Sequence, residues 1–324
     1  MHSISSRRLA TFAVLALAVV VAACGGSDSG GSASSSGGGK ADNGIKGKRF
    51  TLMVQSTPST SKVVTAHAIK LLKEQGVNAT LKYNASTTNV AIAQLLSKNI
   101  DVYGEAVAGG VGGALQGIPD LQALRGKKVG VQDTTGANYA QLLMVLQKAG
   151  MTSKDVHVVA AGGQSSRLPA LVAGRVDATM LSHGAEIALA GKGFKTIFDY
   201  TKEASSLYDD NAFATKEWLS KNKDLAVAFN KALLDSFAWF SDPKNADAVV
   251  DEALQIAPQE NRDDTAKLFE LLRAAGAYPP GATLDLKVLD AQQQLFKSSG
   301  MIEETLPISQ WADDSYAKQA AAGA

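Results

Sequence analysis

The stretch Gln132-Asp133-Thr134-Thr135-Gly136 separates a short apolar run, Val129 to Val131, from a segment in which Tyr139, Leu142, Leu143 and Leu146 recur. That recurrence at i, i+3, i+4 and i+7 is one face of an amphipathic helix, and Gly150 stands where a left-handed C-terminal cap is wanted. The apolar run reads as a strand that enters a sheet after a basic turn. Thr134, Thr135 and Gly136 therefore fall at a helix N-terminus. Free N–H groups and the positive dipole end face outward there, two hydroxyls stand beside them, and a glycine lets a ligand come close. This is anion-binding chemistry if the site is open. The competing reading is that Asp133 or Thr134 caps the helix and binds nothing.

The elements that must position this turn can be followed along the chain. Arg49 to Gln55 is a β-rich run, and the turn "STPSTS" after it offers several N-caps. Val64, Ala68, Leu71 and Leu72 give a helix ending at Gly76. Asn78 to Asn84 alternates as a strand does, Val90 to Leu96 reads as a short helix, and Ile100 to Ala106 as a third strand. A β-α-β-α-β run implies a parallel sheet with helices on its faces. The Gly-rich stretch Val107 to Gly117 interrupts it and reads as a hinge or shortened connection.

The pattern then restarts with strand Lys128–Val131, a helix to Ala149, strand Val156–Ala161, a helix over Arg167–Ala173 and strand Val176–Leu181. A helix over Ala185–Ala190 and a strand Phe194–Tyr200 complete the unit. From Ala212 onward the chain reads as helical, with Trp239 and Phe240 as core. The fold class is α/β with two lobes: residues 46–106 and 204–324 form the first, and residues 121–200 the second. The helical tail has no strands of its own to cover and is placed back on the first lobe.

The first residues are export machinery rather than fold. Arg7 and Arg8 precede an apolar run from Leu9 to Val21, which is shorter than the ~20 residues of a comfortable membrane span. "VVAAC" resembles a bacterial lipobox, which implies that residues 1–23 are removed and that Cys24 becomes the lipidated first residue. Residues 24–45 are mostly Gly, Ser and small polar residues, a flexible tether with an r.m.s. span of roughly 25 Å. Cys24 is the only cysteine, so the mature body has no disulfide and no catalytic thiol. With 32 Lys and Arg against 31 Asp and Glu, interspersed, the chain lacks the basic excess of a nucleic-acid binder.

"DLQALRGKKVGVQDTTGANYAQLLMVLQKAGMTSKDVHVV" and "LPALVAGRVDATML", with the tail "EWLSKNKDLAVAFNKAL", resemble solute-binding proteins of ABC importers for taurine, alkanesulfonates and nitrate. Relatives with the same pattern bind pyrimidine precursors of thiamine. The resemblance covers nearly the whole mature chain. It implies a type II periplasmic-binding fold, two α/β lobes that close on a ligand and dock on an ABC permease coupled to its ATPase. The stretch Val107 to Pro119 is shorter than in that family, which implies a crossover that has lost a strand.

In such a fold ligands lie at the carboxyl ends of strands, beside helix N-termini. Ser56, Thr57, Thr60 and Ser61 follow the first strand, Gly104 and Glu105 end the third, and Ser182 with His183 follow "VDATML". Together with Thr134, Thr135 and Gly136 these are the candidate ligand-binding residues; Ser165 and Ser166 open a further helix. The hydroxyls serve equally as helix caps. His183 is a ligand group or a solvated loop histidine. Glu105 repels an anion, so it marks either a surface charge or a ligand that carries an amine.

Ser182, His183 and nearby Asp177 do not make a triad, and no G-x-S-x-G elbow occurs. No His/Asp/Glu spacing suits a metal, the glycines lack a dinucleotide fingerprint, and no cofactor is expected. A pyrimidine-synthase-like enzyme shares the fold, but an exported lipid anchor suits capture. The expectation is a monomeric, extracytoplasmic, non-enzymatic lipoprotein, anchored to the membrane, that binds a small sulfonate-, taurine- or nitrate-like anion. The alternative ligand is a thiamine pyrimidine precursor or related heterocycle. Radiolabelled palmitate should be incorporated by the wild type and not by Cys24→Ser; equal labelling of both would refute lipidation at Cys24.

Overall fold

Five consecutive residues of the first strand, Phe50 to Val54, are buried, which is the signature of a strand covered on both faces. The computed structural model describes residues 44–106, 110–113, 118–182, 185–186, 189, 192–199, 210–274, 276–278, 281, 285–298 and 300–323. Cys24 and His183 lie outside the described residues. Strand β1 (Arg49–Val54) leads to helix α1 (Val63–Glu74), β2 (Asn78–Tyr83), α2 (Thr88–Leu96) and β3 (Val102–Ala106). β2 and β3 flank β1 in parallel, as the alternating pattern requires. Fourth in this sheet is β9 (Asp210–Ala214), antiparallel to β3. It replaces the start of the helical tail that the sequence suggested from Ala212.

The second sheet has the order β6-β5-β7-β4-β8. β5 (Lys128–Val131) pairs in parallel with β6 (His157–Ala160) and β7 (Ala178–Leu181). Between β7 and β8 (Lys195–Asp199) lies β4 (Gly110–Gly113), antiparallel to both. The Gly-rich stretch read as a shortened crossover that had lost a strand thus supplies one, and an inner one. Its backbone is paired on both sides, which three glycines in four residues do not prevent.

Helix α3 (Ala137–Lys148) buries Leu142, Val145 and Leu146 on Val129, Val131 and Met180, Leu143 is buried as well, and Gly150 takes the left-handed conformation at φ 65°. Helix α4 (Gln164–Val172) packs over β7 and β5, its Leu171 clustered with Val176 and Leu181. Five more helices follow β9: α5 (Lys216–Lys221), α6 (Lys223–Ser241), α7 (Ala246–Ile256), α8 (Arg262–Ala274) and α9 (Leu286–Ser298), before α10 (Ser315–Ala322). Leu225, Phe229 and Ala232 of α6 join Phe50, Ala68 and Leu72 in one core. Phe240 continues that helix into a second cluster with Val249, Leu268 and Phe269. Burying such side chains is worth ~1.5–3 kcal/mol each, which binds the tail to the first sheet.

Two boundaries differ from the sequence reading. Ile45, placed at the end of the tether, is 2% exposed in the core of the first sheet. Leu295 of α9 packs against the core of the second sheet, so the tail does not stay with the first alone.

On the outer side of α1, His67 stacks on Trp239 with centroids 3.7 Å apart and planes 3° from parallel, while its Nδ1 lies 2.9 Å from Glu252 Oε1. Lys70 Nζ donates to Glu252 Oε2 at 2.9 Å. Burial pushes the Glu252 carboxyl up, but hydrogen bonds from His67 and Lys70 outweigh it and hold it below the usual carboxylate range. A depressed carboxyl stabilises the fold above its unfolded pKa, and that stability is lost as pH falls through the folded one. Between about pH 6 and pH 3, wild type should therefore lose ~1–2 kcal/mol more stability than Glu252→Gln. Equal acid sensitivity in urea melts would contradict this.

Candidate ligand site between the two sheets

Polar residues end the buried strands of the first sheet, and they are tied to one another. Gln55, 8% exposed, follows β1; its Nε2 donates to the Ser86 carbonyl at 2.6 Å, and its Oε1 accepts from Asn84 Nδ2 at 2.8 Å and from the Tyr103 hydroxyl at 3.1 Å. Asn84 also donates to the Thr87 carbonyl at 3.1 Å and accepts from Ser86 N at 3.1 Å. Gln55, Asn84 and Tyr103 are buried, so the two bonds among their side chains are ones that water does not readily replace. The turn from Asn84 to Thr88 is thereby fixed above the carboxyl ends of β1 to β3.

The second sheet meets this turn. Gln132, just after β5, donates from Nε2 to the same Ser86 carbonyl at 3.2 Å. A Cβ on Gly136 would lie 2.8 Å from Thr88 Oγ1, and one on Gly163 would lie 3.1 Å from the Ala85 carbonyl. The turns after β5 and β6 thus rest on the turn after β2, which places the carboxyl ends of the two sheets face to face. Gly136 adopts φ −98° and ψ −178°, an extended conformation open to any residue. Glycine is required there by the close approach of Thr88 and not by a positive φ.

Two of the N–H groups that the sequence offered to an anion, those of Thr135 and Gly136, are engaged within the turn. Asp133 Oδ1 accepts from Thr135 N at 3.0 Å, Thr135 Oγ1 at 3.1 Å and Gly136 N at 2.6 Å. Thr135 and Gly136 are thus held within their own turn just ahead of α3, and Thr134 is exposed. Thr60 is corrected similarly: it is buried, and both its N and Oγ1 donate to Glu260, at 3.3 and 2.5 Å. Ser61 contacts Ser59 within the same turn. The Ser56 hydroxyl donates to the Thr57 carbonyl at 2.5 Å, and Thr57 is exposed. Ser182 Oγ accepts from Ala185 N at 3.4 Å, and its own N donates to Gln164 Oε1 at 2.8 Å. Gly104 gives its carbonyl to Gln55 N at 3.0 Å, and Glu105 is paired by backbone with Asn211. Ser165 and Ser166 are exposed in the first turn of α4.

Arg167, which the sequence did not single out, is 3% exposed. Its Nε donates to the Met180 carbonyl at 3.3 Å and its Nη1 to the Gly162 carbonyl at 2.7 Å, so its head lies where β6 and β7 end. Burial pushes its pKa down to about 10, with the charge of Asp133 acting against that shift. It stays a cation at neutral pH, and it forms no ion pair within 4 Å among the described residues. Its helical spacing with Leu168 and Leu171 hid it, since an arginine in the first turns of a helix reads as solvated. Among the described residues no group of three or more His, Cys, Asp or Glu could hold a metal, and no helix is long and apolar enough to cross a membrane.

This architecture recurs in solved structures. The alkanesulfonate-binding protein SsuA from Xanthomonas axonopodis pv. citri, bound to MOPS, has a TM-score of 0.67 and 14% identity, over 82% of this chain and 98% of that one. The periplasmic nitrate-binding protein NrtA from Synechocystis PCC 6803 gives 0.65 and 11%, over 86% and 89%. The desulfurization enzyme DSZB gives 0.53 and 15%, over 84% and 99%. At these identities the likeness establishes the two-lobe fold of periplasmic binding proteins, and a fold shared by carriers and an enzyme does not decide function. No curated protein sequence matches the chain. Residues 65–246, more than half of the sequence, match the family described as NMT1/THI5 like, and the chain belongs to that family.

Proposed function

We propose that this protein is the extracytoplasmic solute-binding component of an ABC importer, tethered through a lipidated Cys24, which captures a small organic anion between its lobes. The observation that carries the reading is the meeting of the two sheets at their carboxyl ends, with the turn after β2 resting on the turns after β5 and β6. Such a crevice is where open α/β sheets bind ligands, and lobe closure gives a permease two shapes to distinguish. Arg167 replaces the helix N-terminus as the group that answers the ligand's negative charge. Its Nε and Nη1 are anchored to backbone carbonyls and its Nη2 makes no hydrogen bond among the described residues, so the guanidinium is held in place. The solute-binding proteins for sulfonates and nitrate that share the fold support the anion. DSZB is the reason to consider an enzyme, but the only cysteine here is Cys24, in the stretch read as export signal and anchor. The chain is read as a carrier that acts as a monomer.

Thermal melts of the full chain with sulfonates, nitrate, carboxylates and pyrimidines test this. A bound solute at 100 times its Kd stabilises the folded state by about 2.7 kcal/mol, so one class should raise the melting temperature visibly. Arg167→Gln should weaken that solute ~10- to 100-fold; unchanged affinity, or no stabilisation by any class, would contradict the proposal. A second outcome concerns closure. Gly136→Ala forces Thr88 and Asp133 away and should reduce affinity for the same solute by ~10-fold with little change in melting temperature of the free protein. Undiminished affinity would mean that these turns do not meet in the bound state.

A further inference from the structure

The C-terminal chain visits both lobes. Helix α8 buries Leu268 and Phe269 with α1, α6 and α7 of the first lobe. Helix α9 then lays Leu295 against the cluster that α3, β5, β7 and β8 form in the second. Helix α10 returns to pack along α6, with Ala320 buried. Beside the two connections that run through the sheets, β3 to β4 and β8 to β9, a helix thus joins the lobes a third time. That helix is gripped on opposite sides. Gln293, 7% exposed, takes both backbone groups of Leu306: its Nε2 donates to the Leu306 carbonyl at 2.9 Å and its Oε1 accepts from Leu306 N at 3.1 Å. Nε2 also donates to Asp290 Oδ1 at 2.8 Å, so the amide is oriented from within α9. Breaking this pairing would leave a buried amide unsatisfied, and it therefore fixes the returning segment to the helix. Leu295 stands two residues further on, about 200° around the helix, and faces away from that segment.

We infer that α9 is a strap between the lobes: seated on the second lobe by Leu295 and held to the first through Gln293 and α10, it raises the population in which the two lobes meet before any solute arrives. Leu295 is seated while Gln132 reaches the Ser86 carbonyl at 3.2 Å, so the two contacts belong to one arrangement. Swinging the second lobe away must either carry α9 with it or expose the Leu295 side chain to water. The pairing of Gln293 with Leu306 resists the first, and the hydrophobic effect resists the second. A larger closed fraction improves the apparent affinity for any solute that binds the closed state by the same factor. The inference rests on lobe closure as read above, but the free protein alone suffices to test it, so it stands or falls apart from the solute.

The experiment is the rate at which a short bifunctional maleimide links Ser86→Cys to Gln132→Cys in the full chain carrying Cys24→Ser, with no solute present. In this reading closure is the minor state of the free protein, so the rate follows its equilibrium constant. Leu295→Ala removes most of a half-buried leucine, and linkage should slow ~5-fold, while a monofunctional maleimide labels both thiols as before. Leu295→Val gives up one methylene, keeps the fold secure and should slow linkage ~2-fold. Gln293→Ala releases the opposite grip and should slow it as Leu295→Ala does. An unchanged or faster rate in any of the three, or a slowing that monofunctional labelling shares, would overturn the strap.

Discussion

One carbonyl oxygen, that of Ser86, accepts hydrogen bonds from both halves of the molecule: from Gln55 of the first sheet and from Gln132 of the second. Its position is not free. Gln55 is held by Asn84 and Tyr103, and Asn84 holds the turn that carries Ser86. Because these amides are buried, removing one leaves its partners unsatisfied, at ~1–3 kcal/mol each. The network therefore sets where the turn after β2 stands, and through it how the lobes can meet. Thr88 begins α2 only two residues beyond Ser86, so the closeness of Gly136 to α2 follows from the same constraint.

Two helix starts that a ligand's charge could have occupied are filled by the protein's own carboxylates, Glu260 before α1 and Asp133 before α3. An internal carboxylate beside a helix start offsets the dipole end there and so weakens its attraction for an outside anion. In the proposed site the positive charge would come from Arg167, whose cost of burial is offset by two backbone carbonyls and the field of Asp133. A fixed guanidinium is directional in a way that a helix terminus alone is not.

Much of the fold is legible in the sequence because burial leaves a period. Leu142, Leu143 and Leu146 announce α3, and Phe50 to Val54 announce a strand covered on both faces. β4 is not legible, since Gly110, Gly112 and Gly113 have no side chains with which to show a period of two, and their backbone pairing on both sides is a property of the partners. β9 is hidden similarly, because it is an edge strand of five residues whose Phe213 stays partly exposed. At the site, the sequence points to the right strand ends but not to which groups are spent. Thr60 and Glu260 are 200 residues apart, and no local pattern couples them. Asp133 and Arg167 belong to different turns and meet only through the parallel order of β5, β6 and β7.

In the proposed function the two lobes close at the Ser86 turn when a solute is bound. A pair of cysteines, Ser86→Cys and Gln132→Cys in a Cys24→Ser background, places one thiol on each side of that contact in a chain with no other cysteine. The rate at which a short bifunctional maleimide links them reports closure directly. The account predicts that the solute identified by titration accelerates linkage at least ~10-fold, and that Gly136→Ala removes the acceleration. A linkage rate that does not respond to a saturating solute would contradict it.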